Sequence, residues 1–161
     1  MADRTTDASL RAVMACHPTG VTVVAACDEA GKPYGLTVNS FTSVSLDPPL
    51  VLVCIGHESS SHDRLVGASG FTVNVLSADQ GAVAARFASE PSAGRFDDVD
   101  WAPSPYGAPI LADTVAWIDC SLDEVLTAGD HSILLGRVES SGLSDQPALV
   151  FHRGRMASVD G

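Results

Sequence analysis

Basic residues are scarce in this chain: nine lysines and arginines stand against twenty aspartates and glutamates, a formal net charge of −11. Nucleic acids and anionic membranes are held through accumulated lysine and arginine, so neither is an expected partner. Charged residues reach only 18% while hydrophobic ones reach 45%, which excludes a disordered chain. Long apolar runs are missing as well. The longest, Leu50 to Ile55, is far too short to span a bilayer. Met-Ala-Asp-Arg-Thr-Thr-Asp at the N-terminus offers no basic region followed by an apolar core, so no signal peptide is expected and the expected location is cytoplasmic.

The same thinness applies to metal and nucleophile chemistry. The four cysteines (Cys16, Cys27, Cys54, Cys120) form no Cys-x-x-Cys pair and are expected as buried free thiols. The five histidines show neither H-E-x-x-H nor H-x-H spacing, so no metal site is expected. A Ser–His–Asp hydrolase would be compatible with composition, but Gly-x-Ser-x-Gly is absent.

What remains is a chain of β-branched runs punctuated by Gly and Pro. At 161 residues it is expected to fold as one domain, residues 1–161, with a sizeable core. The periodicity predicts an amphipathic helix over 8–16, ended by His17-Pro18, and strands over 21–26 and 34–38 joined through the hairpin loop 28–32. A further strand follows over 50–55, after the turn Asp47-Pro48-Pro49. Ser59 begins a helix reaching about Ala68, with capping-box spacing between Ser60 and Asp63. Then come a strand over 71–76 and a helix capped by Ser77 with Gln80, with Val83 and Phe87 inward. A proline-rich loop, 91–109, is placed to cover a site. Long strands over 114–126 and 132–140 follow, and 149–152 closes the sheet. Repeats, low-complexity tracts and linkers are lacking. The pattern predicts a mainly β fold, a barrel with flanking α-helices.

The chain is organised around residues 35–56. There a short strand enters the polar corner Asn39-Ser40-Phe41-Thr42-Ser43 before the apolar strand begins. Hydroxyls, a carboxamide and backbone amides in that corner suit the hydrogen-bonding edge of a planar heterocycle. They equally suit a solvated loop of turn formers. The serine run Ser59-Ser60-Ser61 at a helix start can cradle a phosphate or simply cap the helix.

Gly35-Leu-Thr-Val-Asn-Ser-Phe-Thr-Ser-Val-Ser-Leu-Asp-Pro-Pro-Leu-Val-Leu-Val-Cys54 closely resembles the signature of the flavin reductase family, the small reductase partners of two-component flavin monooxygenases. The resemblance runs on through Ser59 to Asp63, Phe71 to Ser77, Ala85-Arg86-Phe87, Gly129 to Ile133 and Phe151 to Gly154, and so covers nearly the whole chain in order. It implies a split β-barrel of the FMN-binding type, homodimeric, with flavin near the subunit interface. Its activity is implied to be NAD(P)H:flavin oxidoreduction: NADH or NADPH as hydride donor, FMN or FAD as acceptor, and reduced flavin diffusing to a monooxygenase. A non-catalytic flavin-binding protein, or a reductase of another acceptor such as a corrin cobalt, is the alternative. No basic patch for the extra phosphate of NADPH is evident, which favours NADH.

Carried over residue by residue, the resemblance sets the isoalloxazine edge against Thr37, Val38, Asn39, Ser40 and Ser43, largely through backbone groups, with Cys54 and Ile55 beside the ring. Ser60, Ser61 and His62 lie at the phosphate, joined by Arg86 and Phe87, although Arg86 also reads as a plain surface arginine. His131, in Gly129-Asp130-His131, approaches flavin and nicotinamide, and is the expected catalytic residue. It also reads as a turn histidine satisfied by neighbouring backbone. Where the family often follows His-Arg-Gly-x with an aromatic, this chain has Met156.

Overall fold

The computed structural model describes residues 6–89, 91 and 94–159. Twelve strands and three α-helices follow in the order α1 (Asp7–Met14), β1 (Thr19–Gly20), β2 (Thr22–Cys27), β3 (Pro33–Val38), β4 (Thr42–Leu46), β5 (Pro49–Gly56), α2 (His62–Val66), β6 (Gly70–Val75), α3 (Gly81–Ser89), β7 (Trp101–Pro103), β8 (Pro109–Leu111), β9 (Ala116–Ala128), β10 (His131–Leu143), β11 (Ala148–His152) and β12 (Arg155–Val159). Half of the chain is strand and 17% helix, so the mainly β expectation with flanking helices holds.

Seven strands form one antiparallel sheet in the order β3-β2-β6-β9-β10-β5-β4. Its apolar alternation builds the main core, with Val24, Tyr34, Val53, Ile55, Phe71, Val73, Cys120 and Leu134 on one face. The opposite face of β2 and β6 is covered too, by α3 and the segment after it. Val23, Ala25, Leu76, Ala84, Phe87, Leu111 and Leu149 meet there. Two buried faces explain why β2 reads as an unbroken apolar run instead of an alternating one.

Several expectations need correction. The strand over 149–152 does not close the large sheet: β11 pairs with β1 and β12 in a separate three-stranded sheet. It touches the main one through Val21 N–H to the Leu149 carbonyl and Leu149 N–H to the Leu76 carbonyl. Thr42 and Ser43 belong to strand β4 and not to a loop, because the exposed edge strand has no need of apolar alternation. The loop over 91–109 contains the β7–β8 hairpin. Helix α2 spans five residues, far less than 59–68. Its N-cap is Ser61, whose side chain makes no cap hydrogen bond, so the Ser60–Asp63 capping box is not formed. By contrast the Gln80 carboxamide does accept from Ser77 N–H, at 3.0 Å. Of the four thiols, all free, only Cys120 is buried; Cys27 and Cys54 are half-buried and Cys16 is exposed.

Candidate active site: a cleft beside α2 and a histidine on an open sheet face

Strand alternation divides β3. Tyr34, Leu36 and Val38 face the main core, while Gly35 and Thr37 face the α3 side. Glycine is required at 35 because a Cβ there would lie 2.5 Å from the Val24 carbonyl oxygen. Over this strand opens a cleft of about 540 Å3, lined by Leu36, Thr37, Ser59, Ser60, Phe87 and Arg95 among others. Thr37 Oγ1 donates to the Ala84 carbonyl at 2.7 Å, so its hydroxyl fastens β3 to α3. Phe87 is fully buried and stacks edge-on against Phe96, 4.8 Å between centroids. Its role in packing is plain, and its ring forms one wall of the cleft.

At the cleft's head lies the serine run. Ser60 is exposed, whereas Ser61 is fully buried and donates to the Gly35 carbonyl at 3.2 Å. Arg95, buried, donates to that same carbonyl at 2.7 Å and to Ser61 Oγ at 3.3 Å. Nothing in the sequence reading picked Arg95 out. Its signal was a second Arg-Phe pair, Arg95-Phe96, in the loop expected to cover a site. The first pair behaves differently: Arg86 donates from Nη1 to the Asp97 carbonyl and thereby holds the loop onto α3.

The polar corner follows the end of β3 and does not line the cleft. Ser40 Oγ donates to the Cys54 carbonyl at 2.8 Å and accepts from Cys54 N–H at 3.1 Å, clamping the corner onto β5. Asn39 and Ser43 are exposed, Val38 and Ile55 are in the core, and Cys54 lies on the opposite face of β5 from Val53 and Ile55. That face continues across the sheet: Cys54 is opposite Ile133, Leu52 opposite Leu135, and Gly56 opposite His131. His131 therefore shares the outer face with Cys54, while Ser132 points inward.

Two imidazoles hold Ser132. Its Oγ lies 2.9 Å from His62 Nε2 and 3.4 Å from His57 Nε2, and the two rings meet edge to face at 5.0 Å. His62 Nδ1 in turn lies 2.8 Å from Asp63 Oδ1. His131, about half exposed, sets Nδ1 2.7 Å from Asp130 Oδ1. Hydrogen bonding from His131 holds the Asp130 carboxyl below the usual carboxylate range. An ionised carboxylate can only accept, so Nδ1 carries the proton toward Asp130 and Nε2 is left as an acceptor. The structure thus gathers His57, His62 and Ser132 on the inner side of the start of β10, and sets the His131–Asp130 pair on the opposite face of that strand. His57 and Ser132 escaped the sequence reading because nothing local marks a contact between positions so distant in sequence. Among the described residues no cluster of metal-ligating side chains occurs, and no helix is long and apolar enough to cross a membrane.

The flavin reductase like domain matches residues 14–160. The chain belongs to this family. The reductase subunit of stachydrine N-demethylase from Rhizobium meliloti is 48% identical over 139 residues, covering 84% of this chain and 60% of the relative. A probable flavin reductase of the same organism is 49% identical over 84% of this chain and 44% of its own length. The chain thus spans about half the length of these curated relatives. Among solved structures the NADH:FAD oxidoreductase of Streptomyces globisporus superposes with a TM-score of 0.91 at 39% identity, over 100% of this chain and 98% of that one. The same oxidoreductase has also been solved in complex with NAD and FAD fragments.

Proposed function

We propose that this chain is an NAD(P)H:flavin oxidoreductase that reduces FMN or FAD and hands the reduced flavin to a separate flavin-dependent monooxygenase. One observation carries the reading: a cleft with serine hydroxyls and a buried arginine at its head opens over β3, the strand that leads into the polar corner. Membership of the family and the names of its relatives support the same activity. Flavin, when bound, accepts the hydride that the nicotinamide gives up.

The donor set fits such a ligand. Ser60 offers an exposed hydroxyl where a phosphate would lie, with Ser61 and Arg95 bracing the strand behind it. α2 is too short to add much of a helix dipole, so the phosphate would be held by hydroxyls and backbone amides. The Thr37 and Ser40 hydroxyls already hold α3 and β5, and Arg86 holds the loop, so these residues shape the site more than they touch the ligand. Backbone groups of Thr37 to Ser40, together with Asn39, Ser43 and Cys54, complete the flavin edge in this reading. His131 orients the nicotinamide through Nε2.

We further propose that residues 1–161 act as one split-barrel domain and pair as a homodimer in the cytoplasm. Leu52, Cys54, Leu126, Ile133 and Leu135 form an apolar patch on the open face of β5, β10 and β9, bordered by Glu124 opposite Leu135, and Leu126 is nearly half exposed. A second copy would cover that face and bring its His131 near the flavin. Free thiols support a reducing compartment.

Following NADH oxidation with and without added FMN or FAD tests the activity. Turnover that needs free flavin is expected. Flavin binding with no NADH oxidation would replace the enzyme by a carrier, and turnover only with a cobalt corrin would replace the acceptor.

A further inference from the structure

A second cavity, about 770 Å3 and larger than the cleft, lies beyond α2 and shares no lining residue with it. Its walls are the β2–β3 hairpin, the C-terminal half of α2, the start of β6, and β9, and the turn around Tyr106 and Gly107 roofs it. The function proposed above makes no use of it.

Its charge is one-sided. Asp28, Glu29, Asp63 and Asp119 line it against Arg64, the one basic residue in its wall. Arg64 is already engaged, 3.1 Å from Asp28 Oδ2 and stacked 3.8 Å over the Tyr34 ring. Asp119 is the informative group. It has no exposed surface, yet among the described residues only its Oδ2 has a partner, the Tyr106 N–H at 3.3 Å. Oδ1 is buried with no hydrogen-bond partner. A buried carboxylate oxygen left without a donor costs several kcal/mol in general, about the penalty of an unpaired buried charge. Tyr106 itself is exposed, at the tip of a turn whose Gly107 has a φ of +88°; the base of that turn is fixed by Thr72 and Asn74 donating to the Pro109 carbonyl, and its tip by the Tyr106 N–H to Asp119 and the Tyr106 hydroxyl to Glu139.

We propose that this cavity is a binding site for a small organic monocation with N–H donors, a primary amine or guanidine, whose charged head reaches Asp119 Oδ1 on a small shift of the Tyr106 turn that covers it, and whose body lies against Tyr106. The acidic rim draws the cation in, and the aromatic ring favours it over a neutral isostere.

Cys27 reports on occupancy, because its half-buried thiol forms part of the wall while Cys16 lies outside it. The full chain is alkylated with iodoacetamide, with benzylamine as the probe, and the rate at each cysteine is read by peptide mass spectrometry. Benzylamine is expected to slow labelling of Cys27 at least fivefold, saturably, and to leave Cys16 unchanged. Benzyl alcohol at the same concentration is expected to do neither. Asp119→Asn, which keeps the shape and removes the charge, is expected to abolish the protection. Equal protection by alcohol and amine, or none by either, would overturn the proposal on the unaltered chain, even if the variant failed to fold.

Discussion

The two halves of the seven-stranded sheet are built to different rules. β2 and β6 are buried on both faces, between the main core and the α3 layer. β5 and β10 are buried on one face alone, and their other face offers Leu52, Cys54, Ile133, Leu135 and His131 to whatever lies outside. The first half is complete within one chain. The second leaves one apolar face open, and the proposed site straddles the boundary: the cleft lies on the complete half and His131 on the open one. Stability and function should therefore respond separately to changes in the two halves.

Phe71 tests the complete half most severely. It is fully buried, and its ring comes within 2.7 Å of where a Cβ on Gly136 would stand, so the space around it is filled. Phe71→Ala is expected to cost about 3–5 kcal/mol, the range for emptying an aromatic site in a packed core. Urea unfolding measures it. A loss below about 1 kcal/mol would mean that the core collapses around the gap and that the two halves are less different than their burial suggests.

On the open half the same logic predicts the opposite outcome. Leu52→Glu should leave the isolated chain almost as stable, since Leu52 contributes little to the core, but should separate a dimer into chains of 16.6 kDa. Sedimentation at micromolar concentration decides it. A wild-type protein that already sediments as a single chain removes the dimer, and the open face then needs another explanation.

How much of this contrast was readable in advance depends on distance along the chain. The strands of the complete half announce themselves, because Val-Thr-Val-Val-Ala-Ala at 21–26 and Phe-Thr-Val-Asn-Val at 71–75 are β-branched runs bounded by turn formers. Family motifs flagged Thr37, Ser60 and Phe87, three of the residues that line the cleft. Neither route could show what those side chains hold. Thr37 reaches 47 positions to Ala84, Arg95 60 positions to Gly35, and His62 70 positions to Ser132. Local pattern carries no trace of such contacts. β4 was missed for a different reason: an exposed edge strand of Thr, Ser and Val lacks the alternation that a core imposes.

Function should divide along the same boundary. His131→Ala is expected to lower kcat/KM for NADH about 10- to 100-fold, roughly 1.4–2.7 kcal/mol of transition-state binding, with flavin affinity changed less. Steady-state kinetics against NADH, beside a flavin titration, separates the two. Wild-type kcat/KM with a lowered melting temperature would make His131 a structural turn residue. On the cleft side the effect is smaller. Ser60→Ala is expected to weaken FMN by about 0.5–1.5 kcal/mol, the worth of one hydrogen bond, while riboflavin, which lacks the phosphate, binds as before. Equal losses for the two would detach Ser60 from the phosphate.

The smallest expected effect concerns the proton that His131 shares with Asp130. Hydrogen bonding from the imidazole holds the exposed Asp130 carboxyl low, with a backbone hydrogen bond and the charges of His131 and His57 adding in the same direction. A carboxyl whose folded pKa lies below its unfolded one contributes stability above the unfolded value and loses it as pH falls through the folded one. The window is thus acidic, beneath the ordinary carboxylate range, and at neutral pH the contribution is fully present. Asp130 is open to solvent and screened by it, so the shift matters as a sign of geometry more than as a source of stability. Carbon-13 titration of the Asp130 carboxyl should give a midpoint below that of a free aspartate, and His131→Ala should raise it. If the midpoint is the same in both proteins, the imidazole does not hold the carboxylate in solution. Nε2 would then have no fixed direction, and the open half would lose the one polar group that this reading assigns to the nicotinamide.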